Sequence, residues 1–275
     1  MTLVLRAELD VAAALARHAG AAIERVRDEG FVEHEKADSS PVTRADLAAD
    51  ALIREGLRAA YPDDGLLTEE SESERVAGTS GRVWVVDPLD GTEAFIDGNV
   101  RGYAVQIGLL VDGVPALGVV YEPRADLMLT AAAGAPALAV ANGGVPRALA
   151  VSKRAELGAL RLVTSTTIRA PLKARVLAAG FVDGGGLRSV GVKVGELVRD
   201  RADVYLSHHA VHAWDVVAPM AILAAAGGAI TDLAGAPFRF DERGHLRPSS
   251  GPFLATNGRA HDAAREAILR AWEAP

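Results

Sequence analysis

The sequence predicts a mixed protein of helices and strands in two parts, an α+β half followed by an α/β half. In the first half, helical patterns are grouped and are followed by paired strands, with the hairpin signal Val111-Asp112-Gly113 between two of them. In the second half, short apolar strands alternate with helical segments, which is typical of an α/β layer. The chain has 275 residues, of which 49% are hydrophobic and 24% charged, so it can bury a sizeable core.

The first half begins with two amphipathic helices. Residues from about 3 to 27 place apolar side chains at helical spacing, and Gly30 follows as a stop signal. A second helix is predicted from Thr43, its N-cap, to about Ala60, with Asp46 in a variant of the capping box. Apolar and β-branched runs then predict strands over residues 83–86, 103–111, 113–121, 127–132 and 137–140.

A turn-rich segment, Asn142-Gly143-Gly144-Val145-Pro146, is the best candidate for a linker. We therefore expect an N-terminal α+β domain over residues 1–145 and a C-terminal α/β domain over residues 146–275. In the second domain the patterns predict strands over residues 160–164, 202–206 and 229–232, and helices over residues 170–179, 190–199, 216–226 and 261–272.

The composition excludes several classes of function. A net charge of −7 argues against nucleic-acid polymers and anionic membranes as partners, because both need basic surfaces. The chain has no cysteine, so it forms no disulfide, thiolate zinc site or thiol nucleophile. Charged residues interrupt the N-terminal apolar pattern, unlike a signal peptide, and the apolar run over residues 220–230 is shorter than the roughly 20 residues that cross a bilayer. We expect a cytoplasmic protein.

The strongest functional signal lies in the stretch Val-Trp-Val-Val-Asp-Pro-Leu-Asp-Gly-Thr at residues 83–92. Its first four residues predict a buried strand, whose ladder Pro88 and Gly91 are expected to end. Asp87 and Asp90 would then lie at the C-terminal end of a strand, where α/β proteins place ligand chemistry. Together with the Leu89 carbonyl they offer the hard oxygens that suit Mg²⁺. An ordinary turn is the simpler alternative, since most Asp-Gly turns bind nothing.

The pair Glu69-Glu70 is the first acidic partner for this stretch. Two adjacent acids before a loop usually face solvent, but here a short apolar piece precedes them and can fix their direction. Neighbouring residues on an extended segment point in opposite directions. At most one of the two carboxylates would therefore face the same cleft as Asp87.

Two more acids lie on predicted helices. Asp215 follows Trp214, and Pro219 is expected in the first helical turn, which puts Asp215 at or near the helix N-terminus. Each acid has a simpler interpretation, Asp215 as an N-cap and Asp46 as a capping acid. If these acids converge with those of the central stretch, they repel strongly unless cations neutralise them.

Three motifs resemble those of the inositol monophosphatase family: Thr-Glu-Glu-Ser at 68–71, Trp-Val-Val-Asp-Pro-Leu-Asp-Gly-Thr at 84–92, and Trp-Asp followed by Ala-Gly-Gly over 214–228. The resemblance spans nearly the whole chain in the right order. It implies a layered αβαβα sandwich and a Mg²⁺-dependent, lithium-sensitive phosphomonoesterase that uses two or three Mg²⁺ ions on a small phosphorylated substrate. Dimers are frequent in this family, so a homodimer is also expected.

Within the family, the segments Lys-Ala-Asp-Ser-Ser-Pro-Val-Thr at 36–43 and Ser-Val-Gly-Val-Lys at 189–193 look most like bacterial 3'(2'),5'-bisphosphate nucleotidases. That subgroup releases phosphate from adenosine 3',5'-bisphosphate, leaving AMP, in sulfur assimilation. Three positions depart from its pattern: Glu93-Ala94-Phe95 replaces the usual Lys-Glu-Phe, residues 164–168 contain no histidine, and Ser207 stands at the position of an arginine. A phosphatase of inositol or sugar phosphates is the alternative activity, and a phosphate- or metal-sensing regulatory subunit is the alternative without activity.

The resemblance also implies roles for individual residues. Glu69, Asp87 and the Leu89 carbonyl would bind one metal ion, whereas Asp87, Asp90 and Asp215 would hold a second. Thr92 and Glu69 would orient and activate the attacking water, and the backbone amides at 91–92 would bind the phosphate. The N-terminal domain would thus carry most of the metal ligands. The implied site residues are Glu69, Thr92 and Asp46 as catalytic groups, with Asp46 near a third metal; Glu69, Asp87, Leu89, Asp90 and Asp215 as metal ligands; and Gly91, Thr92, Ser189, Lys193 and Asp215 as substrate contacts.

Three histidines near the Trp214-Asp215 motif suggest another interpretation. His208, His209 and His212 have spacings at which side chains can share a transition metal. No acidic motif of the zinc-protease kind accompanies them, so a position at the rim of the substrate cleft, or in an exposed loop, is the favoured interpretation.

Overall fold

The computed structural model describes residues 5–31, 33–35, 41–71, 80–99, 102–247 and 251–273, with the backbone alone at 33–35, Pro41 and Arg247. Residues 36–40, which belong to the nucleotidase-like motif at 36–43, lie outside the described residues. The helices are α1 Arg6–Glu29, α2 Arg44–Ala60, α3 Thr92–Ile96, α4 Ala170–Ala178, α5 Val190–Val198, α6 Ala213–Ala225 and α7 His261–Glu273. The strands are β1 Glu33–Glu35, β2 Pro41–Thr43, β3 Gly65–Thr68, β4 Arg82–Asp90, β5 Ala104–Val111, β6 Val114–Glu122, β7 Leu127–Ala132, β8 Leu138–Ala141, β9 Arg147–Ala148, β10 Arg161–Ser165, β11 Val182–Leu187, β12 Val204–Ser207, β13 Ala229–Asp232, β14 Arg239–Phe240, β15 Leu246–Arg247 and β16 Phe253–Thr256.

Strands β3 to β9 form a seven-stranded sheet in which neighbours in the chain are also neighbours in space. Strands β3 and β4 are parallel, and the remaining pairs are antiparallel. The hairpin between β5 and β6 turns at Asp112 and Gly113, both with positive φ, as the Asp-Gly signal predicts. One face of this sheet packs on α1 and α2 around an apolar cluster that includes Ile23, Ile53 and Trp84.

The second sheet has five strands in the order β11-β10-β12-β16-β13. Strand β10 is parallel to β11 and β12, whereas β16 is antiparallel to both of its neighbours. Helices α4 and α7 cover its outer face, and α5 and α6 lie between the two sheets in a shared apolar core. The layers therefore run α, β, α, β, α, and the expected layered sandwich is confirmed.

Helix α6 comes from the second half of the chain but packs on β5 and β6 of the first sheet. A Cβ atom at Gly118 of β6 would lie 2.2 Å from the carbonyl oxygen of Ala218. The glycine therefore lets the backbone of α6 lie close to β6. The first sheet ends at Ala148 and the second begins at Arg161. The division into domains at residue 145 stays a prediction. Among the described residues, no helix is both long enough and apolar enough to cross a membrane.

Candidate active site

Strand β4 contains a bulge near its end. Asp87 pairs with Gln106 of β5 and Asp90 pairs with Ala104, and the ladder shifts register between these two pairs. The expectation that Pro88 ends the ladder is wrong, because the strand resumes and runs to Asp90. A bulge accommodates proline, since residues within it need not donate to the neighbouring strand. Both carboxylates are buried as a result.

Four donors hold the Asp90 carboxylate in place. Gln106 Nε2 donates to Oδ2 at 2.7 Å and Ser189 Oγ donates to the same oxygen at 2.5 Å. The amides of Val190 and Gly191, in the first turn of α5, donate at 3.2 and 2.8 Å. A helix N-terminus favours negative charge nearby, so α5 stabilises the ionised form of Asp90. This carboxylate therefore joins the end of the first sheet to a helix of the second half.

Asp215 completes a compact group of acids from the other side. It lies in the first turn of α6, as expected, and accepts a hydrogen bond from the His212 amide at 2.6 Å. Carboxylate oxygens of Asp87, Asp90 and Asp215 lie within 4.8 Å of one another, which is close enough to share a metal ion. The placement of Pro219 in the first turn is wrong, because it is the seventh residue of α6. Having no N–H, Pro219 leaves the Asp215 carbonyl without its helical hydrogen bond.

Glu69 reaches this group from the end of β3. Its backbone amide donates to the Val86 carbonyl at 3.1 Å, which extends the parallel pairing of β3 with β4 by one residue. Glu69 lines the same cavity as Asp90 and Asp215. After burial, its negative charge contributes to the raised pKa of Asp87. Glu70 is not among the residues lining that cavity, which agrees with the expectation that only one of the two acids faces it.

Asp46 and Thr92 form a hydrogen-bonded pair beside the acids. The Thr92 hydroxyl lies 2.9 Å from Asp46 Oδ1 and 3.2 Å from the Leu89 carbonyl oxygen. The other oxygen of Asp46 accepts from the amide and hydroxyl of Thr43, both at 2.7 Å, so the predicted capping box is present. Gly91, with φ +95°, precedes Thr92, and a side chain there would lie 2.4 Å from the Gly102 carbonyl oxygen. Only glycine fits this turn into α3.

Burial and the neighbouring carboxylates make ionisation of the acids in this group less favourable. Burial raises the pKa of Asp87 well above its ordinary value, and the charges of Glu69, Asp90 and Asp215 raise it further. Burial, followed by the charge of Asp90, raises the pKa of Asp215 to about 8. The pKa of Asp46 is also raised, mainly by burial. These carboxylates stay ionised at neutral pH when a bound cation offsets their negative charge. Their oxygen atoms suit Mg²⁺ or a similar hard ion.

Ser189 and Lys193, which we expected to contact substrate, lie beneath the carboxylates. Ser189 is fully buried, donates to Asp90 and is also the N-cap of α5. The Lys193 ammonium donates to the Arg188 carbonyl at 2.8 Å and lies 4.6 Å from the centre of the Tyr205 ring. Burial lowers the pKa of Lys193 to about 8, against the opposing effect of the nearby carboxylates. Neither residue lines the cavity, so their described contacts are with the protein itself.

A cavity of about 440 Å³ opens over the acids. Its lining includes groups that the sequence patterns did not single out as site residues, above all Arg188. Gln106, the donor to Asp90, was also missed, although a single buried polar residue in an apolar strand is a signal that a partner exists. The residues lining the cavity are Glu69, Asp90, Gly91, Thr92, Glu93, Ser165, Thr167, Arg188, His209 and Asp215.

Two of the three histidines contact each other, with the ring centres of His208 and His209 3.6 Å apart. His209 lies on the cavity rim, as favoured above, with Nε2 at 3.0 Å from the Thr167 hydroxyl. The His212 ring stacks on Trp214, with ring centres 4.4 Å apart. The group of acids or histidines that the structure brings within reach of one ion, in the part of the chain it describes, is Asp87, Asp90 and Asp215.

The fold and this site define a class of enzyme in which acids from both halves of a layered α/β sandwich meet over an open cavity. The chain belongs to the inositol monophosphatase family, whose model matches residues 5–272. Members of this family are phosphatases, so the protein is a phosphoric ester hydrolase of this kind.

Individual relatives carry different names. The chain is 36% identical over 232 residues to a histidinol-phosphatase from Mycobacterium tuberculosis, covering 82% of this chain and 84% of the relative. It is 35% identical over 238 residues to the 3'(2'),5'-bisphosphate nucleotidase CysQ from Escherichia coli, covering 86% of this chain and 94% of the relative. The structure of an inositol monophosphatase from Anabaena (Nostoc) superposes with a TM-score of 0.78 at 29% identity, covering 97% of this chain and 96% of the other.

Proposed function

We propose that the protein is a Mg²⁺-dependent phosphomonoesterase in which the acids of both halves hold the metal ions. The convergence of Asp87, Asp90 and Asp215 within 4.8 Å is the observation that carries the proposal. Glu69, Asp87 and the Leu89 carbonyl would hold one ion, and Asp87, Asp90 and Asp215 a second. Mg²⁺, when bound, would supply the positive charge that lowers the pKa of a coordinated water and offsets charge on the phosphate.

Thr92, Asp46 and Glu69 would prepare the attacking water. The Thr92 hydroxyl lies within hydrogen-bond distance of Asp46 and of the Leu89 carbonyl, so its proton is directed away from the cavity. Its oxygen can then accept a hydrogen bond from a water and orient it. Glu69 lines the cavity and would take the proton of that water. Asp46 would also lie near a third ion, because its carboxylate bonds to Thr92 beside the group.

The phosphate and the leaving group would occupy the cavity beside these residues. The amides of Gly91 and Thr92 would donate to the phosphate, at a turn that only glycine can make. Asp215, on the opposite side, would position a water that protonates the leaving alkoxide. Ser189 and Lys193 would act from beneath, Ser189 by fixing Asp90 and Lys193 by adding positive charge near it.

We propose a 3'(2'),5'-bisphosphate nucleotide, hydrolysed to AMP and phosphate, as the substrate. The motifs at 189–193 and the 35% identity to the nucleotidase support it. Histidinol phosphate is a second candidate, supported by the 36% identity to the histidinol-phosphatase, and inositol 1-phosphate is a third. Inhibition by Li⁺, a place in sulfur assimilation, a cytoplasmic location and a homodimer stay predictions.

A phosphate-release assay tests this proposal. Wild-type protein with Mg²⁺ should release phosphate from at least one of the three esters, and removal of Mg²⁺ by a chelator should stop the release. Asp90→Asn should lower kcat by roughly 100-fold or more, because losing one group that manages transition-state charge commonly costs that much. Asp63→Asn, on an exposed turn, is the matched control and should keep full activity. Near-normal turnover by Asp90→Asn at saturating Mg²⁺ would show that the assignment is wrong.

A further inference from the structure

The cavity lining has little positive charge. Among the residues described as lining the cavity, Arg188 is the single lysine or arginine, whereas Glu69, Asp90, Glu93 and Asp215 are acids. The Lys193 ammonium does not substitute for it, because it is buried and donates to the Arg188 carbonyl. Arg188 is therefore the one lysine or arginine in this lining that an anionic group on the leaving part of a substrate can meet.

Arg188 is already paired, but with groups that it can leave. Its guanidinium contacts Glu93, in the first turn of α3, and lies 3.2 Å from Asp97 Oδ2. The two carboxylate side chains are 53% and 60% exposed, and that of Arg188 is 26% exposed. Ion pairs exposed to this degree contribute little to stability. A phosphate dianion can accept two parallel hydrogen bonds from a guanidinium and is a stronger partner than either carboxylate.

Glu93 shares the cavity with the metal-binding acids and contacts Arg188. It follows Thr92 directly and lines the same cavity, so a substrate bound at the acids passes close to it. A negatively charged leaving group would displace Glu93 from Arg188, whereas a neutral one would leave the pair intact. Glu93 therefore competes with the substrate for the guanidinium.

We propose that Arg188 is a specificity residue that binds the second phosphate of a nucleoside bisphosphate, and that Glu93 limits its availability. The inference rests on the proposed phosphatase function and adds to it the residue that distinguishes a bisphosphate from a monophosphate. The first phosphate is hydrolysed over the acids, and the second, which does not react, exchanges with Glu93 on Arg188.

Two nucleotides that differ by one phosphate test this inference directly. Steady-state kinetics at saturating Mg²⁺ would be measured for adenosine 3',5'-bisphosphate and adenosine 3'-monophosphate. In Arg188→Gln the ratio of kcat/KM for the bisphosphate to that for the monophosphate should fall by about tenfold or more, since a hydrogen-bonded charge pair is worth about that much. The fall should come mainly from KM, and Arg188→Lys should recover part of it.

Two further variants sharpen the test. Glu93→Gln should raise the same ratio, because the guanidinium loses a competitor. Arg201→Gln removes an exposed arginine outside this cavity and should leave the ratio unchanged. An unchanged ratio in Arg188→Gln, or a lower ratio in Glu93→Gln, would overturn the inference and leave the phosphatase site in place.

The remaining outcomes separate this inference from the proposed function. Hydrolysis of inositol 1-phosphate or histidinol phosphate, with neither nucleotide cleaved, would remove the nucleotide substrate and this role of Arg188 together. Absence of phosphate release from every ester would overturn the proposed function itself.

Discussion

Ser189 shows how one hydroxyl serves two purposes. Its oxygen accepts from the Val192 amide at 3.0 Å as the N-cap of α5, and its proton goes to Asp90. Ser189→Ala removes both interactions. Loss of the cap should cost about 1 kcal/mol of unfolding free energy. Loss of the donor should weaken apparent Mg²⁺ affinity by roughly 10- to 100-fold, as with other groups that orient metal ligands.

The two consequences of Ser189→Ala can be measured separately. Urea unfolding without Mg²⁺ reports the stability lost with the two hydrogen bonds, and a Mg²⁺ titration of activity reports the looser Asp90 carboxylate. An unchanged Mg²⁺ titration, with only the stability lowered, would leave Ser189 as a cap and nothing more.

His261 lies outside the active site and is held as a neutral ring. The Thr231 hydroxyl donates to the Asp232 carbonyl at 2.7 Å, so the His261 Nε2, 2.9 Å away, must donate to Thr231. His261 Nδ1 then accepts from the Thr256 hydroxyl, also at 2.9 Å. A proton on Nδ1 would require the Thr256 hydroxyl to turn its own proton to another acceptor. Burial lowers the pKa of His261 below its ordinary value of 6.5, which agrees with this arrangement.

His261 should therefore make stability depend on pH in a defined direction. Because its folded pKa lies below the unfolded value, unfolding takes up a proton once the pH falls below about 6.5. As the pH falls from 7.5 to 5.5, His261 should lower the unfolding free energy, whereas the raised pKa values of Asp87 and Asp215 act in the opposite direction. The stability of His261→Gln relative to the wild type should therefore increase as the pH falls. Urea unfolding of both proteins at several pH values measures the two slopes. Parallel slopes would contradict the prediction.

At the level of residues, the sequence predicts the acids but not the groups that hold them. Asp87 and Asp90 stand in a continuous motif, so their proximity follows from local chain geometry. Gln106 reaches Asp90 only through the pairing of β4 with β5, and Arg188 reaches Glu93 only through tertiary packing. No local sequence pattern predicts these contacts. For the same reason Ser189 and Lys193 were expected in the cavity, although they lie beneath it.

Helix α6 brings Asp215 to the site because β5 and β6 have glycines where the helix crosses them. A side chain at Gly108 would lie 2.6 Å from Val217 Cγ1, and one at Gly118 would lie 2.2 Å from the Ala218 carbonyl oxygen. The second contact is with backbone, which cannot rotate away. The position of Asp215 thus depends on glycines in the other half of the chain.

Gly118→Ala should therefore destabilise the protein and reduce activity together. Overpacking of this kind costs about 1–3 kcal/mol. The displaced helix should also lower kcat, because it carries Asp215. Gly158→Ala is the control, since a side chain there has no atom within 4 Å. Thermal unfolding and phosphate release would be compared for both variants. Full activity of Gly118→Ala at normal stability would contradict this account of the packing.

At the level of elements, helices, hairpin strands and the strands β10, β12 and β13 follow from apolar patterns, whereas β11 and β16 of the second sheet do not. Strand β11 contains Gly184, Gly185 and Gly186, which favour no extended structure by themselves, and it forms by parallel pairing with β10. Strand β16 has four residues, too few for a clear pattern, yet it lies between β12 and β13. Helix α6 begins three residues before the predicted start at 216, because Pro219 is tolerated in its second turn.

Across the whole molecule, the acids connect the two halves of the sandwich. Asp87 and Asp90 come from the first sheet, whereas Asp215 comes from a helix that follows the second half's β12. Without a cation the charged carboxylates are disfavoured, because burial and then the charges of neighbouring acids raise the pKa values of Asp87 and Asp215. An acid whose folded pKa lies above its unfolded value destabilises the folded state as the pH rises above the unfolded value. The site therefore lowers stability at neutral pH until the charges are neutralised.

Mg²⁺ should reverse this effect and stabilise the fold. At a free concentration of 100 times Kd, binding to the folded state alone adds about 2.7 kcal/mol to the unfolding free energy. Asp215→Asn should be at least as stable as the wild type in a chelator, because it removes one repelling charge, and should gain less from Mg²⁺. Asp63→Asn, on its exposed turn, should gain as much as the wild type. Urea unfolding with chelator and with Mg²⁺ measures each gain. Equal gains in Asp215→Asn and the wild type would mean that Asp215 holds no ion, and a lower stability of Asp215→Asn in chelator would mean that the carboxylates do not repel.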